Sequence, residues 1–224
     1  MSLLRLIASF TDGKDRGSGW EDRLLCALGA HRDAGVHLLS CGIGQEADHD
    51  SLARLASAAE GLHVALESSE QLGIALTAFA QFIEGNAKQA SVVAQCRLSA
   101  TKPAAVPASV QVGRRPVDLL VLIDSCPAMM GHRAYNDWSG DALRLVRSKE
   151  TAKALVSLLN PQCDRVCVSG FGGVSPHLKG FSGDFGAACL AIDRLGGDST
   201  HSPFSAIRRA VQEFKQDESL SRAR

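Results

Sequence analysis

Val117-Asp118-Leu119-Leu120-Val121-Leu122-Ile123-Asp124-Ser125 is the most apolar run of the chain. From Leu119 to Ile123 it carries no polar side chain, the pattern of a strand buried on both faces of a sheet. It stops abruptly at Asp124-Ser125-Cys126-Pro127-Ala128, a stretch with turn chemistry. An inner strand needs neighbours on both sides, so the rest of the chain must supply a parallel sheet and the helices that cover it.

Downstream, Ser148 to Leu159 has helical spacing, with Ala152, Leu155, Val156 and Leu159 on one side and Pro161 as the stop. Arg165 to Phe171 is a strand, turned by Gly172-Gly173 into a hairpin partner over Val174 to Phe181. A helix follows over Ser182 to Leu195. Ser202 then caps another, with Pro203 in its first turn and Phe204, Ile207, Val211 and Phe214 on its apolar side.

Upstream, strands are expected over Leu3 to Phe10, Val36 to Cys41 and Leu62 to Leu66. Between them Trp20 to Ala34 is helical, and Asp50 or Ser51 caps a helix carrying Leu52, Leu55, Ala56 and Ala59, which Gly61 ends. Ser68-x-x-Gln71 opens a helix with Leu72, Ala75, Leu76, Phe79 and Ile83 on one side. The rhythm predicts an α/β fold: a doubly wound, mostly parallel six-stranded sheet with helices on both faces and one antiparallel edge strand. Residues 84–115 break it. Ala90 to Ser99 alternates loosely, as a short strand would, and Pro103, Pro107 and small residues read as a linker. Three segments result: 1–83, 84–115 and 116–224.

Lys plus Arg and Asp plus Glu balance at 24 each. That argues against nucleic acid or an anionic membrane as partner. No apolar run approaches the roughly 20 residues of a membrane span. With no leader pattern at residues 1–10, a cytoplasmic location is the expectation. The seven cysteines are scattered, mostly in apolar runs, and read as buried thiols. His49, between Asp48 and Asp50, reads as part of a solvated cap.

Asp124 and Asp12 each follow a predicted strand, and Asp198 lies in a glycine-rich loop before a capped helix. In an open parallel sheet, ligands gather at the carboxyl ends of strands where strand order reverses. Three acidic side chains converging there suit a hard cation such as Mg²⁺. The alternative is that each aspartate only caps a helix or closes a turn.

These residues resemble the von Willebrand factor type A (VWA) family. Residues 117–125 look like its first strand, leading into a D-x-S-x-S metal loop. Ile7-Ala8-Ser9-Phe10-Thr11-Asp12-Gly13 is similar to its later strand ending in T-D-G. His37 to Gly44, with Leu52-x-x-Leu55-Ala56, resembles the next strand and helix. Leu195-Gly196-Gly197-Asp198 resembles the middle loop. The two halves stand in swapped order: 1–83 matches the family's second half and 116–224 its first. The chain is then either circularly permuted or cut from a tandem array, and a half-exchanged homodimer is a third way to complete the sheet.

The resemblance implies a Rossmann-like VWA fold with a metal-ion-dependent adhesion site for Mg²⁺ or another divalent cation. Its ligands fall on Asp124, Asp198 and Asp12, with Thr200 as a hydroxyl. The family's two serines are replaced by Cys126 and Ala128, so two direct ligands are lost; a thiol is a poor partner for Mg²⁺. Trp138 and Asp137 would lie at the rim, where an exposed aromatic anchors a protein ligand. The implied function is a protein-protein interaction module, not an enzyme, with a weakened or lost metal site. The competing readings are a nucleotide-binding or hydrolytic α/β domain, and a degenerate structural unit of a tandem array.

Overall fold

A computed structural model describes residues 3–11, 22–24, 26–27, 29, 35–45, 47–95, 115–126, 129, 143–171, 178–196 and 202–222. Its strands are β1 (Leu4–Thr11), β2 (His37–Ile43), β3 (Leu62–Leu66), β4 (Val117–Ile123), β5 (Arg165–Gly170) and β6 (Leu178–Ser182). Its helices are α1 (His49–Ala58), α2 (Leu72–Ile83), α3 (Ala87–Gln95), α4 (Leu143–Ser157), α5 (Phe185–Arg194) and α6 (Pro203–Arg222).

The strands form one sheet in the order β3-β2-β1-β4-β5-β6. The first five are parallel and β6 is an antiparallel edge strand, as the alternation of strands and helices predicts. Segments 1–83 and 116–224 meet at the centre, where β1 and β4 pair from Leu4↔Val117 to Phe10↔Ile123. All seven side chains of β4 are buried.

Period-2 alternation divides the strand side chains between two cores. Leu6, Ala8, Phe10, Leu119, Val121 and Ile123 share one face with α2, α3, α4 and α5. Ile7, Leu38, Leu120, Leu122 and Cys167 share the other with α6, with Leu55 and Ala59 at α1, and with Leu24 and Ala27. The chain leaves β1 toward β2 and β3 under helices on the second face. It leaves β4 toward β5 under α4 on the first. Right-handed crossovers running in opposite directions must land on opposite faces, so β1 and β4 flank the reversal of strand order.

Several expectations need correction. The loose alternation that begins at Ala90 is helical through Gln95, since α3 runs from Ala87 to Gln95; the rest of that expected strand, 96–99, lies outside the described residues. Ala90 is fully buried, Val93 and Ala94 pack beside it, and Val92 is exposed. Spacing of i, i+3 and i+4 is the helical signal. The N-cap of α1 is Asp48, not Asp50 or Ser51; its Oδ1 accepts from the Ser51 amide at 3.1 Å. Ser68 makes no side-chain cap. A short 3₁₀ turn, Ser69–Gln71, precedes α2, and Gln71 Oε1 accepts from the Glu67 amide at 3.0 Å. The left-handed residue after α1 is Glu60, with φ 49°, not Gly61. The Gly61 amide donates to Ala56 O at 2.8 Å, closing the helix in the 6→1 manner. Gly61 serves another purpose: a Cβ there would stand 2.0 Å from Leu38 O. The predicted helix over Ser182 to Leu195 contracts to Phe185–Arg194, capped by Asp184.

Candidate functional site

β1 and β4 end side by side. With Phe10 opposite Ile123, Thr11, the last residue of β1, and Asp124, the first residue past β4, stand side by side at the carboxyl edge of the sheet. The Asp124 amide donates to Phe10 O at 2.9 Å, extending the ladder by one bond. Thr11 Oγ1 donates to Asp124 Oδ2 at 2.8 Å, and the Cys126 amide donates to Asp124 Oδ1 at 2.8 Å. Asp124 is only 2% exposed, and each of its carboxylate oxygens accepts from the chain. Burial of a charged group is tolerable only with such donors.

The turn beyond is tied to α4: the Met129 amide donates to Cys126 O at 2.9 Å and the Leu145 amide to Met129 O at 3.0 Å. Met129 and Ser125 are buried, and Cys126 packs part-buried against the first core. On the far side, the Phe171 amide donates to Ile123 O at 3.3 Å and Arg209 Nη2 to Phe171 O at 2.7 Å. One β1 hydroxyl is unusual: Ser9 Oγ is buried with no hydrogen-bond partner.

A divalent cation needs several hard oxygen ligands. Of the residues implied as ligands, Asp124 is described; Asp12, Asp198 and Thr200 lie outside the described residues, as do Ala128, Asp137 and Trp138. The thiol of Cys126 is soft. Among the described residues no three of His, Cys, Asp and Glu come together as a metal site. Asp124 is thus a rigid, buried carboxylate at the switch point of the sheet, the one implied metal ligand among the described residues.

Sequence reasoning gave Thr11 no role beside Asp124; the signal was its place in Thr11-Asp12-Gly13 at the end of a strand. It also misread His49. That ring is half-buried and hydrogen-bonded to Gly44 O and to His63. No helix among the described residues is long and apolar enough to cross a membrane.

No family model matches the chain, and no curated protein matches it. Among solved structures, the chain is similar to an uncharacterized protein from Alicyclobacillus acidocaldarius subsp. acidocaldarius DSM 446. The TM-score is 0.66 at 17% identity, over 98% of this chain and 97% of that one. The likeness establishes a shared fold over the length of both chains.

Proposed function

We propose that this chain is a protein-protein interaction module of the VWA type that meets its partner with the carboxyl edge of the sheet, around Asp124. The observation that carries this reading is the Thr11–Asp124 bond at the reversal of strand order. It holds a carboxylate rigidly where open α/β sheets place their ligands. In the form the resemblance implies, Asp12, Asp198 and Thr200 would join Asp124 around a divalent cation. The replacements at Cys126 and Ala128, and the donors already on both Asp124 oxygens, favour a site that holds metal weakly or not at all. Contact is then made by the edge loops themselves.

The test is selection of binders from a random peptide library on immobilised protein, run with Mn²⁺ and with chelator, with hydrogen-exchange mapping of those recovered. Protection at residues 9–11 and 122–126, with binding lost in Asp124→Ala, is the expected result. Binders that map to the opposite edge of the sheet would sink the reading. Equal recovery under chelator would show that the edge works without metal.

A further inference from the structure

A second polar cluster lies on the second face, one strand beyond the β1/β4 edge. Ser40 on β2, His63 on β3 and His49 on α1 form a chain. Ser40 Oγ and His63 Nδ1 are 2.8 Å apart, His63 Nε2 and His49 Nδ1 3.2 Å, and His49 Nε2 and Gly44 O 3.0 Å. Gly44 O can only accept, so His49 carries its proton on Nε2. In the neutral pair, His63 Nε2 donates to His49 Nδ1, and the Ser40 hydroxyl donates to His63 Nδ1. The ring centroids are 5.4 Å apart, with planes at 51°. Gly42 makes room for them: a Cβ there would stand 2.7 Å from His49 Nδ1 and 3.2 Å from His63 Cε1.

We propose that His49 Nδ1 and His63 Nε2 form a binding site for a divalent transition-metal ion of the imidazole-preferring class, Zn²⁺, Cu²⁺, Ni²⁺ or Co²⁺, separate from the Asp124 edge. Two imidazole nitrogens on one tetrahedral ion, each at about 2.0–2.1 Å, lie roughly 3.3 Å apart. The facing nitrogens already stand at 3.2 Å. Metal-bound histidines characteristically have the other ring nitrogen held by an oxygen. Both rings meet that condition, His49 through Gly44 O and His63 through Ser40 Oγ. When the ion enters, the proton on His63 Nε2 moves to Nδ1, and the Ser40 hydroxyl turns from donor to acceptor. The ring keeps its charge and Ser40 keeps its bond to it. Both residues are partly exposed. No third His, Cys, Asp or Glu among the described residues joins them, which leaves water to complete the shell.

The experiment is a Co²⁺ titration of the chelator-treated, reduced full chain, read by visible absorption and by long-range ¹H–¹⁵N spectra of the imidazoles. One equivalent should give a cobalt spectrum without thiolate charge-transfer bands, displaced by Zn²⁺. His49→Ala and His63→Gln should each abolish it. Ser40→Ala should weaken binding by about 10-fold or more, the usual effect of losing a group that orients a ligand. In the wild-type protein, which needs no variant to fold, Zn²⁺ should shift the resonances of His49 Nδ1 and His63 Nε2 and move the His63 proton to Nδ1. Thiolate bands, a spectrum that survives both histidine variants, or unmoved imidazole resonances would each overturn the proposal.

Discussion

The hydroxyl of Thr11 and the carboxylate of Asp124, 113 residues apart in the chain, meet at 2.8 Å where β1 and β4 end. The bond joins the two segments of the chain at their shared edge. Asp124→Ala removes the acceptor of both Thr11 Oγ1 and the Cys126 amide, and is expected to cost about 1–3 kcal/mol of folding stability. Thr11→Val should cost about 1–2 kcal/mol, and Thr11→Ser much less, because the serine keeps the donor. Urea unfolding measures all three; a neutral Thr11→Val would show that the bond does not anchor the edge.

Acidification should destabilise the metal-free protein through His63. Burial, and then the neighbouring His49, push its pKa down from 6.5 to about 4. The unfolded chain therefore takes up the proton first as pH falls. Stability is full above pH 6.5, is lost progressively down to about 4, and is flat below. The loss is on the order of 2 kcal/mol for a partly exposed ring. In chelator, the urea midpoint of the wild type should fall between pH 7 and pH 4.5 by more than that of His63→Gln. Equal falls would remove His63 as the cause.

Gly61→Ala should prevent normal pairing of β2 with β3. The new methyl would stand 2.0 Å from Leu38 O, a backbone atom held inside the sheet. The expected loss is more than about 3 kcal/mol, seen as a collapse of the thermal midpoint. A well-folded Gly61→Ala protein would mean that β3 shifts readily.

The cysteines should divide by reactivity. Cys26 and Cys163 are exposed, whereas Cys41 and Cys167 are buried. Burial pushes the Cys41 thiol far up and that of Cys167 to about 12, leaving almost no thiolate. Iodoacetamide on the native protein should mark Cys26 and Cys163 within minutes and reach Cys41 and Cys167 only on unfolding. Early labelling of Cys167 would reveal local opening of β5.

Ser148→Ala should stabilise. Ser148, in α4, is fully buried with no partner for its hydroxyl, and alanine is the better helix former. A gain of about 1 kcal/mol is expected from the two effects. A loss would show that the hydroxyl has a bonded water.

What the sequence determined by itself was local. The apolar run Val117–Ile123, the alternation of strands with helical periods, and a hairpin after Arg165 specify a doubly wound sheet, because each period states how its segment must be buried. The placement of Asp124 at the end of the innermost strand was legible for the same reason. The ends of α1, at Asp48 and Glu60, were misplaced by one to three residues, since several neighbours can supply the same bond. α3 was misread because Ala, Val and Gln carry little contrast between periods. Only the tertiary structure decided which residues meet. Thr11 reaches Asp124 because β1 pairs with β4 in one particular register. Ser40, His63 and His49 converge because β2 and β3 turn the same parity toward α1 and Gly42 leaves the space. Register is set by the whole core: one residue of slip would turn every side chain to the other face. No single segment carries that information.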